Sequence, residues 1–363
     1  MRTLQAFGMI VVTAVIAIGC ATTDQAMFRV DAGHQGVADS GDPAGSTPPV
    51  WQYDADAPSY SSPMVDARHV FFGDNDGRMH ALDRETGERI WHYDAEGNIE
   101  GTPAVADGQL YFGAWDGVVR ALDIDSGRVV WEHETDDRVY SSPTIDNERV
   151  YIGTGDGRVL ALERSSGDEI WSFTAGDGVY SAPTVAGGRV YFGSLDGHIH
   201  AVDRDSGQEI WRVETDEPVF TTPASDGDVV AVGGYDATLY LLAADSGEEL
   251  WRFRSGGRIF ASPALTDTRV VFGSRDGYVY AIDRDSGQRH WEFNAGSRIY
   301  SSPTVTDGGV YFGAREGTLH ALSLTTGEEQ WRIDLGNEIY ATPVVRDGML
   351  WIATVDGMVH AIE

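Results

Sequence analysis

Residues 167–185 read GDEIWSFTAGDGVYSAPTV, and variants of this stretch recur along the whole chain. Its tryptophan is one of eight that stand 40 residues apart. A proline follows each of them after 12 residues. A fixed period of this length indicates a repeat architecture, in which each unit buries its apolar faces against its neighbours. The eight tryptophans are Trp51, Trp91, Trp131, Trp171, Trp211, Trp251, Trp291 and Trp331.

Four β-type runs fill each repeat. In the fourth repeat they are VYSAPTV, RVYFGS, HIHAVD and EIWRVE, which are rich in β-branched and aromatic residues. Asp196-Gly197 separates the second run from the third and predicts a hairpin with a type I′ turn. Ser206-Gly207 separates the third run from the fourth. This pattern predicts an all-β, eight-bladed β-propeller of four-stranded antiparallel blades.

The repeat has a recognisable spacing, Ala-x-Asp-x-x-Ser/Thr-Gly-x-x-x-Trp, as in Ala81 to Trp91 and Ala201 to Trp211. It resembles the PQQ-like β-propeller repeat, which occurs in quinoprotein dehydrogenases and in BamB-type lipoproteins of outer-membrane assembly. The resemblance covers residues 50–363. It implies that the eight tryptophans dock neighbouring blades together, so we expect them to be structural. The fold alone does not define a function, because function depends on the sites that a fold carries.

The phase of the repeat predicts how the ring closes. Each tryptophan is expected on the outer, fourth strand of a blade. The repeats therefore begin with a lone fourth strand, Val50 to Asp54, and end after a third strand, Met358 to Glu363. Pairing of Val50 to Tyr53 with Val359 to Ile362 would complete the last blade and remove the open seam.

The N-terminal part has a different composition. Residues 1–20 read as a lipoprotein-type signal peptide: an arginine precedes an apolar run that ends in AIGC, and Cys20 would carry the lipid. A plain secretory signal or an uncleaved anchor is the alternative. Residues 21–48 are mostly small or polar and predict a flexible tether. The propeller is expected over residues 49–363.

The charge balance bears on partners and on the host. The chain has 57 acidic and 26 basic residues, a formal net charge of −31, and no lysine. Nucleic acid is excluded as an expected partner, because the chain has no basic surplus to neutralise phosphates. The acid excess is typical of halophilic proteins, although a GC-rich genome would also favour arginine over lysine. A single cysteine excludes a disulfide within the chain and a cysteine metal site.

Function is expected where a repeated column varies. The seventh and twenty-fourth residues after each tryptophan should lie on one face of the ring. In blades 6 and 7 both are arginine, which predicts an anion or acidic-partner site, because guanidinium groups suit carboxylate and phosphate. Simple neutralisation of nearby acidic loops is the alternative. The four residues are Arg258, Arg275, Arg298 and Arg315.

A docking rim is predicted on the same face, in blades 2 to 5. Trp115, Leu195 and Tyr235 occupy hairpin tips, where large side chains can anchor an interface. Glu100 replaces an otherwise aromatic column. The alternative is that these loops fold onto their own blades.

The sequence favours a scaffold over an enzyme. It contains no nucleophile elbow, phosphate loop or zinc motif. No catalytic residue, resident cofactor or metal site is predicted, and the strand histidines are expected to be packing or surface residues. The resemblance implies a lipid-anchored scaffold that binds envelope proteins, with the barrel-assembly machinery as partner in a diderm bacterium and a cell-surface role otherwise. The alternative is a PQQ- and calcium-dependent dehydrogenase, or a protein that binds PQQ or another anion.

Overall fold

The computed structural model describes Met27, residues 31–38 and residues 41–363. The predicted fold class is confirmed: eight sheets of four antiparallel strands form a ring of blades. First strands of neighbouring blades contact each other, so they surround the central channel. Among the described residues, no helix is long and apolar enough to cross a membrane.

The strands are short and evenly spaced. Strand β1 (Trp51–Asp54) precedes blade 1. Blade 1 contains β2 (Met64–Val65), β3 (His69–Gly73), β4 (Arg78–Asp83) and β5 (Arg89–Asp94); blade 2 contains β6 (Ala104–Ala106), β7 (Gln109–Gly113), β8 (Val118–Asp123) and β9 (Val129–Glu134); blade 3 contains β10 (Thr144–Asp146), β11 (Arg149–Gly153), β12 (Arg158–Glu163) and β13 (Glu169–Thr174); blade 4 contains β14 (Thr184–Ala186), β15 (Arg189–Gly193), β16 (His198–Asp203) and β17 (Glu209–Glu214).

The second half repeats the arrangement. Blade 5 contains β18 (Ala224–Ser225), β19 (Val229–Gly233), β20 (Thr238–Ala243) and β21 (Glu249–Arg254); blade 6 contains β22 (Ala264–Leu265), β23 (Arg269–Gly273), β24 (Tyr278–Asp283) and β25 (Arg289–Asn294); blade 7 contains β26 (Thr304–Val305), β27 (Gly309–Gly313), β28 (Thr318–Ser323) and β29 (Glu329–Asp334); blade 8 contains β30 (Val344–Arg346), β31 (Met349–Ala353), β32 (Met358–Ile362) and β1.

The strand directions define two faces. We call one the hairpin face; it carries the hairpins between second and third strands and the loops between blades. We call the other the turn face; it carries the remaining two turns of each blade. The hairpins are not type I′ as predicted: Gly197 has a φ of +80°, whereas Asp196 is not left-handed. The Asp196 carboxylate instead accepts the N–H of His198 at 3.0 Å, a hydrogen bond that spans Gly197 and stabilises the turn.

The tryptophans dock each blade onto the next. The indole of Trp171 donates to the carbonyl of Arg204 at 2.9 Å and lies against Gly207, where a Cβ would stand 2.6 Å from the ring. The equivalent bonds in the ring run from Trp51 to Arg84, Trp91 to Ile124, Trp131 to Arg164, Trp211 to Ala244, Trp251 to Arg284 and Trp291 to Leu324.

The ring closes as predicted. Strand β1 pairs antiparallel with β32, with Trp51 opposite Ala361 and Tyr53 opposite Val359. The eighth blade therefore takes its outer strand from the start of the repeats. This pairing removes the exposed sheet edge that would otherwise lie between the two ends.

Trp331 differs from the other seven tryptophans, because its acceptor does not belong to a turn of the following blade. The N-terminal segment supplies a substitute. The Trp331 indole donates to the carbonyl of Pro43 at 3.1 Å, and Gly45 lies against the ring. The N–H of Ser46 donates to the carbonyl of Glu363 at 2.8 Å. Residues 42–46 thus replace the turn that each of the other blades provides.

A second N-terminal piece, residues 31–38, lies along the inner strands. Its carbonyls accept the N–H groups of four consecutive blades at 2.7–2.9 Å, at Val185, Ser225, Leu265 and Val305. The buried His34 imidazole reaches Thr144 Oγ1 at 2.6 Å. These contacts lie beside the turns between first and second strands, at the turn-face end of the channel. The described residues of the 21–48 segment therefore differ from the predicted flexible tether, because the unpaired inner edges offer them backbone partners.

Candidate docking face

The two variable columns meet on the hairpin face. In blade 6 the N–H of Arg275 donates to the carbonyl of Arg258 at 3.0 Å, and in blade 7 Arg315 donates to Arg298 at 3.0 Å. The same bond occurs in the other six blades at 2.8–3.2 Å. One backbone hydrogen bond per blade therefore places the two variable residues side by side.

Three of the four predicted arginines line one pocket between blades 6 and 7. We call this the arginine pocket; its volume is about 490 Å³. Arg258 lies outside its lining, 4.7 Å above the Tyr235 ring and 3.7 Å from Glu217. The lining residues are Arg275, Asp276, Gly277, Asn294, Gly296, Ser297, Arg298 and Arg315.

The arginine pocket presents a net positive surface. Arg315 pairs with Glu338 at 3.1 Å, and this neighbouring carboxylate raises the pKa of the arginine. The Arg275 guanidinium lies 5.4 Å from the centre of the Tyr300 ring. Arg298 is exposed and forms no ion pair with any described residue. The one acid in the lining, Asp276, is occupied within its own blade: it accepts the Tyr280 hydroxyl at 2.8 Å.

An aromatic collar surrounds the channel entrance on this face. It is formed by the ninth residue after seven of the eight tryptophans: Tyr60, Tyr140, Tyr180, Phe220, Phe260, Tyr300 and Tyr340. Neighbouring rings contact one another, with centres 4.2 Å apart for Tyr140 and Tyr180 and 4.6 Å apart for Tyr300 and Tyr340. The collar offers a nearly continuous set of aromatic edges and faces around the opening.

Glu100 occupies the collar position between Tyr60 and Tyr140. It is half-buried, and burial raises the pKa of its carboxyl. A carboxyl in this position can hold a proton at a higher pH than an ordinary glutamate, since the charged form loses water.

The predicted docking-rim residues do not protrude as isolated anchors. Trp115 lies 5.0 Å from the Tyr140 ring, and the Arg138 guanidinium covers its indole at 5.0 Å. Tyr235 packs between Phe220 and Phe260, with ring centres 4.5 and 4.9 Å away. Both side chains extend the aromatic collar outward. Leu195 is half-buried at its hairpin tip, in another blade.

The sequence reasoning missed one cluster, at the hairpin of blade 4. Asp196, His198 and His200 bring their ligand-type atoms within 4.8 Å of one another. The signal was available: residues that alternate on a strand share one face.

Comparison with known proteins identifies the family. A family model described as outer membrane protein assembly factor BamB matches residues 37–141, 116–203, 195–298 and 275–363. The chain belongs to this family. Membership in the BamB family agrees with the repeats and with the fold. The first match begins at residue 37, before β1. A comparison with curated proteins finds no match.

Solved structures share the fold of this BamB-family chain. BamB from Moraxella catarrhalis is 20% identical, with 86% of this chain and 98% of that chain covered and a TM-score of 0.74. The computationally designed Ika8 protein is 19% identical, with 90% and 99% covered and a TM-score of 0.76. Quinohemoprotein alcohol dehydrogenase from Comamonas testosteroni is 16% identical, with 92% and 79% covered and a TM-score of 0.79. At these identities the likeness shows the fold alone.

Proposed function

We propose that this protein is a non-enzymatic, lipid-anchored scaffold that docks partner proteins of the cell envelope on its hairpin face. The observation that carries the proposal is the arginine pocket. Three arginines converge there in a chain whose net charge is −31, so the pocket is a local exception to the acidic surface. The family description points to the barrel-assembly machinery as the partner in a diderm host.

Electrostatics define the kind of partner. The acidic surface repels most acidic proteins, whereas the arginine pocket attracts one that presents its carboxylates at the right place. Arginine suits this role because its planar fork can bind a carboxylate through two hydrogen bonds. The aromatic collar beside it supplies large apolar surface, which typically carries much of the binding free energy.

The N-terminal segment supports the choice of face. Met27 is buried among residues of blades 2 and 3, and residues 31–38 lie at the turn-face end of the channel. Cys20, the proposed lipid attachment, lies outside the described residues. Only six residues lie between it and Met27, so the seven Cα-to-Cα steps reach at most about 25 Å. A lipid on Cys20 therefore holds the turn face near the membrane and leaves the hairpin face available.

The test is a charge reversal with a matched control. The protein is expressed in its native host, crosslinked in the envelope and co-purified with its partners. The pocket variant carries glutamate at Arg275, Arg298 and Arg315. The control variant carries glutamate at three exposed arginines of outer strands, Arg212, Arg252 and Arg332.

Both variants undergo the same change in net charge. We expect wild-type protein and the control variant to recover barrel-assembly proteins, and the pocket variant to recover at least tenfold less, a loss of about 1.4 kcal/mol or more. Equal recovery by the pocket variant would reject the hairpin-face proposal.

The second candidate is a binding site for PQQ or another planar anion at the channel entrance. The aromatic collar favours it, since its rings can stack on a planar ligand and Arg275 stands beside Tyr300. Titration with PQQ, with and without calcium, tests it through collar fluorescence and ligand absorbance. Saturable binding that is weakened by Tyr300→Ala supports it; no spectral change rejects it.

A further inference from the structure

The hairpin of blade 4 carries two histidines and one aspartate on one face of a strand. The Asp196 carboxylate lies 3.3 Å from His198 Nδ1 through one oxygen and 3.3 Å from His200 Nε2 through the other. Imidazole nitrogen and carboxylate oxygen are the ligand atoms that divalent transition metals such as Zn²⁺ accept.

The other blades show which contact of this cluster is common to the repeat. In several blades the residue equivalent to His200 donates to the hairpin aspartate: Tyr280 to Asp276 at 2.8 Å in blade 6, and Arg120 to Asp116 at 2.7 Å in blade 2. This bond is structural. Blade 4 alone adds an imidazole two residues before that position, where other blades carry residues such as Thr238, Tyr278 and Thr318.

His200 has one ring nitrogen without a hydrogen-bond partner in the described part of the chain, which leaves it available as the outer nitrogen of a metal-bound histidine. Its Nδ1 atom is buried and has no hydrogen-bond partner among the described residues. The nearest acid is Glu209, whose Oε2 atom lies 3.8 Å away. Metal-bound histidines commonly donate their second ring N–H to a carboxylate, which orients the ring. A metal on Nε2 would require the proton on Nδ1 and thereby draw Glu209 into a hydrogen bond.

The geometry points to a Zn²⁺-type site held by Asp196, His198 and His200, with Glu209 as the carboxylate that orients His200. A tetrahedral Zn²⁺ with bonds of about 2.1 Å separates its ligand atoms by roughly 3.4 Å. One ligand atom from each of the three residues lies within 4.8 Å of the other two, so small side-chain rotations bring them to that spacing. Three protein ligands leave one position open. His198 is 27% exposed, so the ion can enter from solvent. Arg212, the nearest cation on the paired strand, lies 3.9 Å from Glu209 and balances that carboxylate.

The experiment is a Co²⁺ titration of the purified full-length protein, followed by visible absorption, with Zn²⁺ added in competition. Excess Mg²⁺ in every sample occupies the exposed carboxylates. We expect one equivalent of Co²⁺ with the absorption of nitrogen- and oxygen-bound metal, displaced by one equivalent of Zn²⁺. The variant His198→Thr, which takes the residue of blades 5 and 7, should weaken binding at least tenfold.

Two further variants distinguish binding at this specific metal site from nonspecific binding to acidic side chains. Glu209→Gln should weaken binding by about 10- to 100-fold while every metal-contacting atom remains. His320→Gln, which changes the equivalent histidine of blade 7, should leave binding unchanged. Melting curves without metal confirm that each variant is folded. The proposal would be overturned if the wild-type protein gave no Co²⁺ spectrum, or if His198→Thr and Glu209→Gln bound Co²⁺ as tightly as the wild type.

Discussion

The contribution to stability of the hydrogen bond from Trp331 to the carbonyl of Pro43 can be measured by a double-mutant cycle. The first change is the removal of residues 27–48. It is made by comparing a chain that lacks residues 1–26 with a chain that lacks residues 1–48. The other change is Trp331→Phe, which keeps an aromatic ring and deletes the indole N–H. Trp291→Phe is the matched control, because that indole donates to Leu324, inside the ring, at 2.9 Å.

The structure sets the size of the effect. In the longer chain, both phenylalanine variants lose one indole hydrogen bond, at 3.1 Å for Trp331 and 2.9 Å for Trp291. Such a bond contributes about 1 kcal/mol net. In the shorter chain Trp331 has already lost its acceptor, so Trp331→Phe should cost about 1 kcal/mol less there. Trp291→Phe should cost the same in both chains.

The assay is urea unfolding of the six proteins at one salt concentration, and the quantity is the difference in free energy of unfolding. Independent sites add within about 0.3–0.5 kcal/mol, so a coupling of about 1 kcal/mol is resolvable. Coupling near zero for Trp331, or equal coupling for Trp291, would refute the idea that residues 42–46 replace the missing turn.

Three further predictions concern stability. Gly207 and Gly188 have φ values of +69° and +76°, but a Cβ at Gly207 meets Trp171 at 2.6 Å whereas one at Gly188 meets nothing within 4 Å. Thermal unfolding should therefore show a clearly larger loss for Gly207→Ala than the roughly 1–2 kcal/mol of backbone strain expected for Gly188→Ala. Burial raises the pKa of Glu100, so the folded state holds this proton more tightly and stability falls as pH rises above 4.5; Glu100→Gln should raise the urea midpoint at neutral pH and not below pH 4.5. Burial lowers the pKa of His360, so the unfolded state takes up the proton first and stability is lost as pH falls below 6.5; His360→Leu, the residue type at this position of blade 3, should flatten that decline, and an unchanged slope would contradict the assignment.

The propeller could be predicted because each repeated residue has a local physical role. Asp-Gly and Ser-Gly pairs produce turns at fixed intervals, and the tryptophan needs one partner in the next blade. The closure of the ring followed from phase alone, since the repeats start with a fourth strand and end with a third. The turn type was misjudged at Asp196-Gly197, because an Asp-Gly pair also fits a longer hairpin loop with only the glycine left-handed.

The N-terminal segment shows where composition fails as a guide. Small and polar residues cannot form a core of their own, yet they suit a strand-like path along open inner edges. Gly45 fits against Trp331 because it has no side chain.

The candidate site was predictable in position and less so in detail. The two variable columns lie side by side on the hairpin face, because the strand directions follow from the hairpins. Three of the four arginines share the pocket, but Arg258 faces Tyr235, a contact that depends on side-chain packing across blades. The blade 4 histidines required attention to neighbours within one strand rather than to one column across blades.

The most direct test of the docking face is site-specific photocrosslinking in the native envelope. A photoreactive amino acid replaces Arg298 in the arginine pocket of the hairpin face or, in a second protein, Glu85 on an exposed turn of the turn face. Partners are identified by mass spectrometry. We expect barrel-assembly proteins to crosslink to position 298 and not to position 85. The same partners at position 85 with none at position 298 would contradict the account.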